Sequence, residues 1–527
     1  MLTAAFRVGL LTFLLVVLSA AALILAFPGQ GLDFLAWIAL VPLLVVINGA
    51  GAGRAYVLSA VAGLLFFAGL FWWIWVIPGF NLLDFVVLEL YFAQYFALCG
   101  MLLSVVTRGA RLPTVIAAPV LWVSFEYIRA HLSFLALPVA LLGHTQYRRL
   151  PLIQLVSVTG VYGLSFLIVL VNAALADLLA RIASRPRLWS TSPNWRNWFG
   201  RLAPITMAAF LFAMTALYGF RVLAAEPGGE HITVGVIQRN LPARMSADGQ
   251  ARAERLDGYL TLSRQLADGN PALIVWPETA VVGPLLTTPA LLAPIARVAQ
   301  SANSYILLGT AESRKLASAG SSQGVTFNSA VLVSPAGKIE GVYRKIRLVP
   351  FGEYTPLAGI LTWPAWLVAG GDQLTPGIDH SVFSLPTARF GVVICWESLF
   401  PDLVGAVVRK GADFVVNIGN EAWFGTTVAP DHLAAISVFR AVEHRVALVR
   451  SVNGGVSGFI DPHGRIRGGF WPRERNGAFE ERVLAQAISI PRQLTFYTRY
   501  GDLAAYVCIG AAVAMLGLAF VQSGWAP

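Results

Sequence analysis

Residues 1 to about 222 consist of one long apolar run after another, and no other feature restricts so strongly what this chain can become. A run of roughly 20 apolar residues makes a helix that is apolar on every side, and such a helix needs lipid around it. Seven runs meet that description: Val8–Phe27, Leu32–Ile47, Tyr56–Ile77, Phe85–Val106, Pro113–Leu132, Leu152–Leu179 and Pro204–Phe220. An eighth is Leu503–Val521. Hydrophobic residues make up 57% of the chain and charged residues 13%, with a mean hydropathy of +0.67, which excludes a purely soluble protein. The expectation is a polytopic α-helical membrane bundle of about eight spans. Val8–Phe27 starts like a signal peptide but lacks a small-residue cleavage site, so it reads as a retained anchor.

The arginines orient these spans. With the N-terminus in the cytoplasm, inner segments hold Arg7, Arg54, Arg108, Arg111, Arg181, Arg185, Arg187, Arg196 and Arg201, whereas outer loops hold only Arg129, Arg148 and Arg149. Basic residues favour the cytoplasmic side. Seven crossings then put everything from residue 224 to about 500 outside the cytoplasm, and the eighth span brings the chain back. The same loops account for much of the net charge of +10; no DNA- or RNA-binding motif accompanies it, so no nucleic-acid partner is expected. Arg465, Arg467, Arg473 and Arg475 form a basic cluster that reads either as a solvated face or as a contact with a membrane surface.

Residues 224–500 have the composition of a globular domain, long enough for one large core. Short β-branched runs alternate with helical stretches, the pattern of an α/β sheet domain. The expected strands are His231–Ile237, Ala272–Trp276, Tyr305–Gly309, Ser329–Val333, Phe390–Cys395 and Phe414–Ile418. Helical spacing covers Ala251–Leu266, Leu291–Ser301 and His432–Arg445, and hairpin turns fall at Ser334-Pro335-Ala336-Gly337 and Asp461-Pro462-His463-Gly464.

Only three cysteines occur. Cys99 and Cys508 lie inside apolar runs, but Cys395 ends the strand Arg389-Phe390-Gly391-Val392-Val393-Ile394 and is followed by Trp396-Glu397-Ser398. That context delivers a thiol to a sheet edge. A nucleophilic thiol needs a base for its proton and a cation near the oxygen where charge develops. Glu278, at the end of Leu273-Ile274-Val275-Trp276-Pro277, suits the base; Lys345, within Tyr343-Arg344-Lys345-Ile346-Arg347, suits the cation. The chain has 34 arginines and four lysines, so a lysine inside an arginine-rich segment marks a place that wants a compact point charge. The histidines show no metal-binding spacing, with His432 and His444 twelve residues apart, and neither a metal nor another cofactor is expected.

Together these segments resemble the Glu-Lys-Cys triad of the nitrilase superfamily. With Phe-Glu-Tyr-Ile-Arg at 125–129, Thr-Gly-Val-Tyr-Gly-Leu-Ser-Phe at 159–166, Leu-Val-Pro-Phe-Gly-Glu-Tyr-Thr-Pro at 348–356, Ala-Trp-Phe-Gly at 422–425 and Arg-Ala-Val-Glu at 440–443, the whole chain resembles the apolipoprotein N-acyltransferases. The resemblance implies a seven-span membrane domain at 1–223, an extracytoplasmic nitrilase-like α-β-β-α sandwich at 224–500 and a C-terminal transmembrane helix at 501–527. It implies catalysis by Glu278, Lys345, Cys395 and Glu353, with Glu353 orienting Lys345 or the substrate. Glu397, Trp396 and Trp423 would shape the substrate site, although Glu353 and Glu397 also suit satisfied core carboxylates and Trp423 a plain core residue.

The activity implied is transfer of an acyl chain from a phospholipid to the N-terminal amine of a diacylated lipoprotein through a cysteine thioester, in a monomer of the bacterial inner membrane facing the periplasm. The apolar stretch Leu361–Gly371 would dip into lipid or pack on its own domain. Glu126 and Arg129, three apart on one helix face, are expected to neutralise each other. Departures from the family pattern are Gln238-Arg239-Asn240-Leu241-Pro242-Ala243-Arg244-Met245, which lacks a following tryptophan, Val139 where tryptophan is usual, and Glu421 where aspartate is common. Two rivals share the features: a membrane-tethered amidase using water as acceptor, and a transporter or scaffold with an inactive domain.

Overall fold

The computed structural model describes residues 4–183, 195–243, 248–315, 324–364, 373–469 and 480–522. Arg185, Arg187, Arg244, Met245, Trp366, Arg473 and Arg475, and with them most of the stretch 361–371, lie outside the described residues. Two compact units result: Met1–Trp75 with Phe80–Ala224 and Tyr500–Pro527, and Val76–Gly79 with Ala225–Arg499.

The first unit is helical. Six of its helices are long and apolar enough to cross a membrane: Phe6–Ala26, Ala52–Leu70, Leu82–Gly109, Val156–Ile182, Leu202–Leu223 and Leu503–Gln522. The expected count of eight is therefore corrected to six among the described residues. Two runs account for the difference. Leu32–Ile47 breaks into a 3-10 turn, Asp33–Trp37, and a seven-residue helix, Val41–Ile47, with Pro42 in its first turn. Broken backbone in an apolar surrounding needs internal partners. The fully buried Asn172 supplies them, its Oδ1 accepting from Leu40 N (2.9 Å) and its Nδ2 donating to Ala36 O (2.9 Å).

The second exception is the helix Thr114–His131, which carries Glu126, Arg129 and His131. Glu126 and Arg129 do not neutralise each other by a direct bond, as the sequence suggests. Instead each serves the irregular segment that follows: Arg129 donates to the carbonyls of Leu137, Val139 and Ala140, while Glu126 Oε1 accepts from Leu142 N (2.7 Å) and Trp122 Nε1 (2.9 Å). The two charges act as backbone partners for chain that has no helical ones.

The second unit holds two six-stranded sheets. Strands are β1 (Glu230–Gln238), β2 (Leu273–Val275), β3 (Tyr305–Lys315), β4 (Gly324–Val333), β5 (Ile339–Arg344), β6 (Val382–Ser384), β7 (Arg389–Ile394), β8 (Phe414–Asn420), β9 (Ala447–Asn453), β10 (Gly458–Ile460), β11 (Ile466–Gly469) and β12 (Arg482–Ile490). One sheet runs β12-β1-β2-β3-β4-β5 and the other β11-β10-β9-β8-β7-β6. Each has a parallel centre, β1-β2-β3 and β7-β8-β9, flanked by antiparallel strands. Alternation sorts the side chains. Val234, Val236, Leu273, Val275 and Leu307 meet Val392, Ile394, Val416, Ile418 and Val449 in the layer between the sheets. The opposite faces pack outward: Ile274, Trp276 and Ile306 lie with helices α1 (Gly249–Ala267) and α2 (Pro289–Ser301), and Val393 and Val415 lie with α3 (Pro401–Arg409). A further helix, α4 (Ala429–His444), is buried along its whole length.

This is an α-β-β-α sandwich. Of its central strands, β2 and β7 carry apolar residues on both faces, as covered parallel sheets favour, whereas β8 and β9 are equally buried but include paired polar residues; each buried Val, Leu or Ile contributes about 1.5–3 kcal/mol. Both expected turns form hairpins: Ser334 N donates to Lys338 O (2.8 Å) with Gly337 at φ +75°, and Gly464 N (φ +82°) donates to Asp461 O (2.9 Å).

Candidate active site

The parallel strands release their functional residues at their C-terminal ends, the usual place for a site in such sheets. β2 is wholly buried between β1 and β3, and the chain leaves it through Trp276, Pro277 and Glu278. Trp276 is fully buried, stacks on Tyr259 (5.2 Å between centroids) and donates Nε1 to Ser263 Oγ (2.8 Å), which fixes this exit. Gly309 on β3 runs alongside, and a Cβ there would lie 2.6 Å from Glu278 Cα. Only glycine permits that approach.

Lys345 follows β5. Its backbone is held by Lys345 N to Asn328 O and Gly377 N to Lys345 O, both 2.8 Å, and its side chain is 1% exposed. The ammonium sits between two carboxylates, 2.8 Å from Glu353 Oε1 and 3.4 Å from Glu278 Oε1. Burial alone would loosen the Lys345 proton, but the charges of Glu353 and Glu278 outweigh it and raise the affinity above the ordinary lysine range. Glu353 is itself oriented by Val349 N (2.8 Å to Oε2).

Asn328, unremarked in the sequence reading, ties the carboxylates together: its Nδ2 donates to Glu278 Oε1 (2.7 Å) and Glu353 Oε1 (3.3 Å). A signal existed, since Asn328 sits mid-strand in β4, two residues before its apolar end Ala330–Val333, and is buried there.

Cys395 stands where β7 turns into a 3-10 segment, Cys395–Leu399. Its φ is +56°, a left-handed conformation that costs a non-glycine residue of order 1 kcal/mol or more. Unlike Val392–Ile394 before it, Cys395 is only partly buried. Removal from water raises the thiol's proton affinity first, and the charge of Glu278 raises it further, while Lys345 opposes both. The net shift is upward. The resting group is therefore a neutral thiol, which has to lose its proton to a base during attack.

The structure thus brings Glu278, Lys345, Glu353 and Cys395 into one electrostatic cluster. Glu397 lies beside it but is spent on the backbone. Its Oε1 accepts from Ile346 N (2.7 Å) and Arg347 N (2.9 Å), and its Oε2 from Tyr343 Oη (2.8 Å) and Ile394 N (2.7 Å). Four donors fill a carboxylate, and the residue is 0% exposed. It joins the β5 exit to the cysteine strand, an arrangement that fits the satisfied-carboxylate alternative, while a part in shaping the substrate site would act through the backbone it holds. Trp396 donates Nε1 to Arg347 O (2.6 Å) and meets Phe400 edge to face, so it braces the same seam from a half-buried position. Trp423 is half-buried in the 3-10 turn Ala422–Phe424 that follows β8, the strand next to the cysteine strand. Most of Leu361–Gly371 lies outside the described residues; within 361–364, Leu361 is exposed, and Trp363 meets Phe351 edge to face.

Among the described residues, no group of three or more His, Cys, Asp or Glu is placed to hold a metal ion. The cluster joins buried carboxylates, an ammonium and a thiol, the group types that covalent acyl chemistry uses.

Comparison with known proteins agrees in both halves of the chain. Residues 19–174 match the family model "Apolipoprotein N-acyltransferase N-terminal domain" and residues 233–492 match "Carbon-nitrogen hydrolase". An apolipoprotein N-acyltransferase of Geobacter metallireducens is 36% identical over 519 residues, covering 96% of this chain and 95% of that one. Another from Gloeobacter violaceus is 30% identical, covering 94% and 91%. Among solved structures, a carbon-nitrogen hydrolase from Helicobacter pylori matches 52% of this chain and 94% of its own at 16% identity, with a TM-score of 0.38.

Proposed function

The chain belongs to the apolipoprotein N-acyltransferase family, and from that premise we propose that it moves an acyl chain from a phospholipid to the α-amine of a diacylglyceryl-cysteine lipoprotein by way of a thioester on Cys395. The observation that carries this reading is the buried Lys345 ammonium between Glu278 and Glu353, electrostatically coupled to Cys395, in a chain whose other unit is apolar helices.

In the first half-reaction Glu278 takes the Cys395 proton as sulfur attacks the ester carbonyl. Lys345 stabilises the tetrahedral oxyanion, and the lysophospholipid oxygen leaves with the proton held by Glu278. In the second, the lipoprotein amine attacks the thioester, Glu278 receives its proton, and the thiolate is reprotonated as the amide forms. Glu353 and Asn328 keep the base and the ammonium in register. Both substrates are anchored in lipid, so fusing the catalytic unit to membrane helices confines the search to a surface.

The acceptor distinguishes a transferase from an amidase with the same triad. Acyl-enzyme formed with phospholipid and freed of excess lipid is expected to persist in buffer, to discharge within minutes when a diacylated lipopeptide with a free α-amine is added, and to ignore the N-acetylated lipopeptide. Rapid release of free fatty acid, unaffected by either peptide, would overturn the reading in favour of hydrolysis.

For topology, five of the six long apolar helices precede the catalytic unit. Five shares the odd parity of seven, and although the nine-to-three arginine count of the seven-span reading does not carry over, Arg181, Arg185, Arg187, Arg196 and Arg201 gather where the fourth helix ends and the fifth begins. A cytoplasmic position for that basic segment supports a catalytic unit on the periplasmic face of the inner membrane. A phosphatase reporter fused after Gly228 is expected to be active only outside the cytoplasm, and one fused after Gln522 inactive; activity of the second fusion with silence of the first would reverse the assignment.

A further inference from the structure

Behind Cys395 lies a buried charged assembly that the reaction does not use. Val393, Asn417 and Arg450 are paired abreast across β7, β8 and β9. Asn417 is 1% exposed; its Nδ2 donates to Val393 O (3.2 Å) and to the carbonyl of Cys395 itself (3.1 Å). Its Oδ1 accepts from Arg450 Nη1 (3.0 Å), which also donates to Ser437 Oγ (2.7 Å) on α4. Arg450 completes its fork with Nε to Val456 O (3.0 Å) and Nη2 to Glu421 Oε1. Glu421 returns to the same loop, its Oε2 accepting from Val456 N (3.3 Å). Arg450 is 0% exposed and Glu421 3%.

A buried ion pair is poor evidence for stability, because desolvation cancels most of its attraction and apolar residues of similar size often do better. What it supplies is fixed geometry. The geometry most in need of fixing is the left-handed backbone of Cys395, whose carbonyl ends this chain of bonds. Glu421 has a second link to the nucleophile, since its charge is among those acting on the Cys395 thiol. The surroundings are cut to this residue: a Cβ on Gly455 would lie 2.1 Å from Glu421 Oε2.

We propose that Arg450 and Glu421 are positioning residues for the nucleophile, Arg450 holding the Cys395 carbonyl through Asn417 and Glu421 fixing Arg450. The proposal rests on Cys395 being the nucleophile of the acyl transfer described above. The pair Arg440 and Glu443 provides a matched control: it is equally buried and bonds Leu399 O (2.7 Å), with no bond to Cys395.

The test uses full-length protein in detergent with Cys99 and Cys508 replaced by alanine, so that Cys395 is the single thiol. Two rates are measured: iodoacetamide alkylation against pH, and acyl-enzyme formation from phosphatidylethanolamine. The charged groups acting on the thiol are Glu278, Lys345, Glu353 and Glu421. Arg450→Lys keeps the charge but loses the fork, so acyl-enzyme formation is expected to fall about 10²-fold at unchanged KM for lipid, with little shift of the alkylation midpoint. Glu421→Gln removes a negative charge that favours the protonated thiol, so the midpoint moves to lower pH; Glu421→Asp restores it. Arg440→Lys lowers thermal stability and changes neither readout.

Equal behaviour of Arg450→Lys and Arg440→Lys, together with an unmoved midpoint in Glu421→Gln, would overturn the proposal and leave a structural ion pair. Should Arg450→Lys fail to fold, the near-isosteric Glu421→Gln decides alone by its midpoint. Alkylation needs no lipid, so failure of the wild type to acylate would count against the proposed function and leave the positioning test readable.

Discussion

Cys395→Ala folds, enters the membrane and forms no acyl-enzyme, whereas wild-type protein incubated with phospholipid gains one acyl mass on the peptide that contains residue 395. The expected loss is complete, because no other thiol shares its setting: Cys99 and Cys508 are buried within helices of the membrane unit. Folding should survive, since the side chain is small and only partly buried and alanine tolerates the same backbone nearly as well. The neutral resting thiol adds a kinetic signature. Burial and Glu278 hold the proton on, so alkylation of wild-type Cys395 should be slow at neutral pH and rise only in the alkaline range, unlike a thiol kept ionised by a histidine. Acyl mass on Cys99 or Cys508, or persisting in Cys395→Ala, would sink the assignment.

Lys345 carries the second large effect. Lys345→Met removes the cation that faces the developing oxyanion, and loss of one such stabiliser costs about 10²–10³-fold in rate. It also leaves Glu278 and Glu353 facing each other across a buried site without their shared partner, and breaking a buried pair costs about 3–5 kcal/mol. Part of that penalty is escaped if one carboxyl takes up a proton, which would disable the base as well. The combined expectation is acylation below 1/10³ of wild type, at the edge of about 10³ estimated from the lost stabiliser alone. Lys345→Arg should retain the fold and still lose about 10²-fold, because a planar fork does not fit where a point charge spans two carboxylates. Acylation by Lys345→Arg at the wild-type rate would mean that only diffuse positive charge is wanted there.

The chemistry was more legible in the sequence than the architecture around it. Glu278 and Cys395 follow apolar strands, and Lys345 stands out as a rare lysine among arginines; local pattern marked all three as candidates, and for Lys345 the family resemblance carried most of the weight. Asn328 was not legible, because it acts between segments far apart in the chain, 50 residues from Glu278 and 25 from Glu353; for Glu397 the satisfied-carboxylate alternative was legible but its partners, 54 residues away at Tyr343, were not. Among strands, β2, β7 and β8 were apolar and recognisable. β9 was missed because Arg450, Ser451 and Asn453 break its apolar run, and each of these is fully buried and paired.

In the membrane unit the apolar runs were found, but hydropathy does not see a break that a distant side chain repairs. Asn172 mends the chain at Leu40 from 132 residues away, and so a run that looked like a span is a turn and a short helix. Likewise Glu126 and Arg129 looked like partners by spacing, and only the fold revealed the carbonyls that Arg129 serves and the amide that Glu126 serves.

Glu397 has one more consequence. Its oxygens gather Tyr343, Ile346 and Arg347 from the end of one sheet and Ile394 from the end of the other, and the ammonium and the thiol come one from each of these two sheets. Sliding one sheet past the other would strip a fully enclosed carboxylate of its donors, so shear between them is resisted at this point. The spacing between sulfur and ammonium is thereby decided once, as the two layers close during folding, and a lipid arriving later meets a gap already set to its carbonyl.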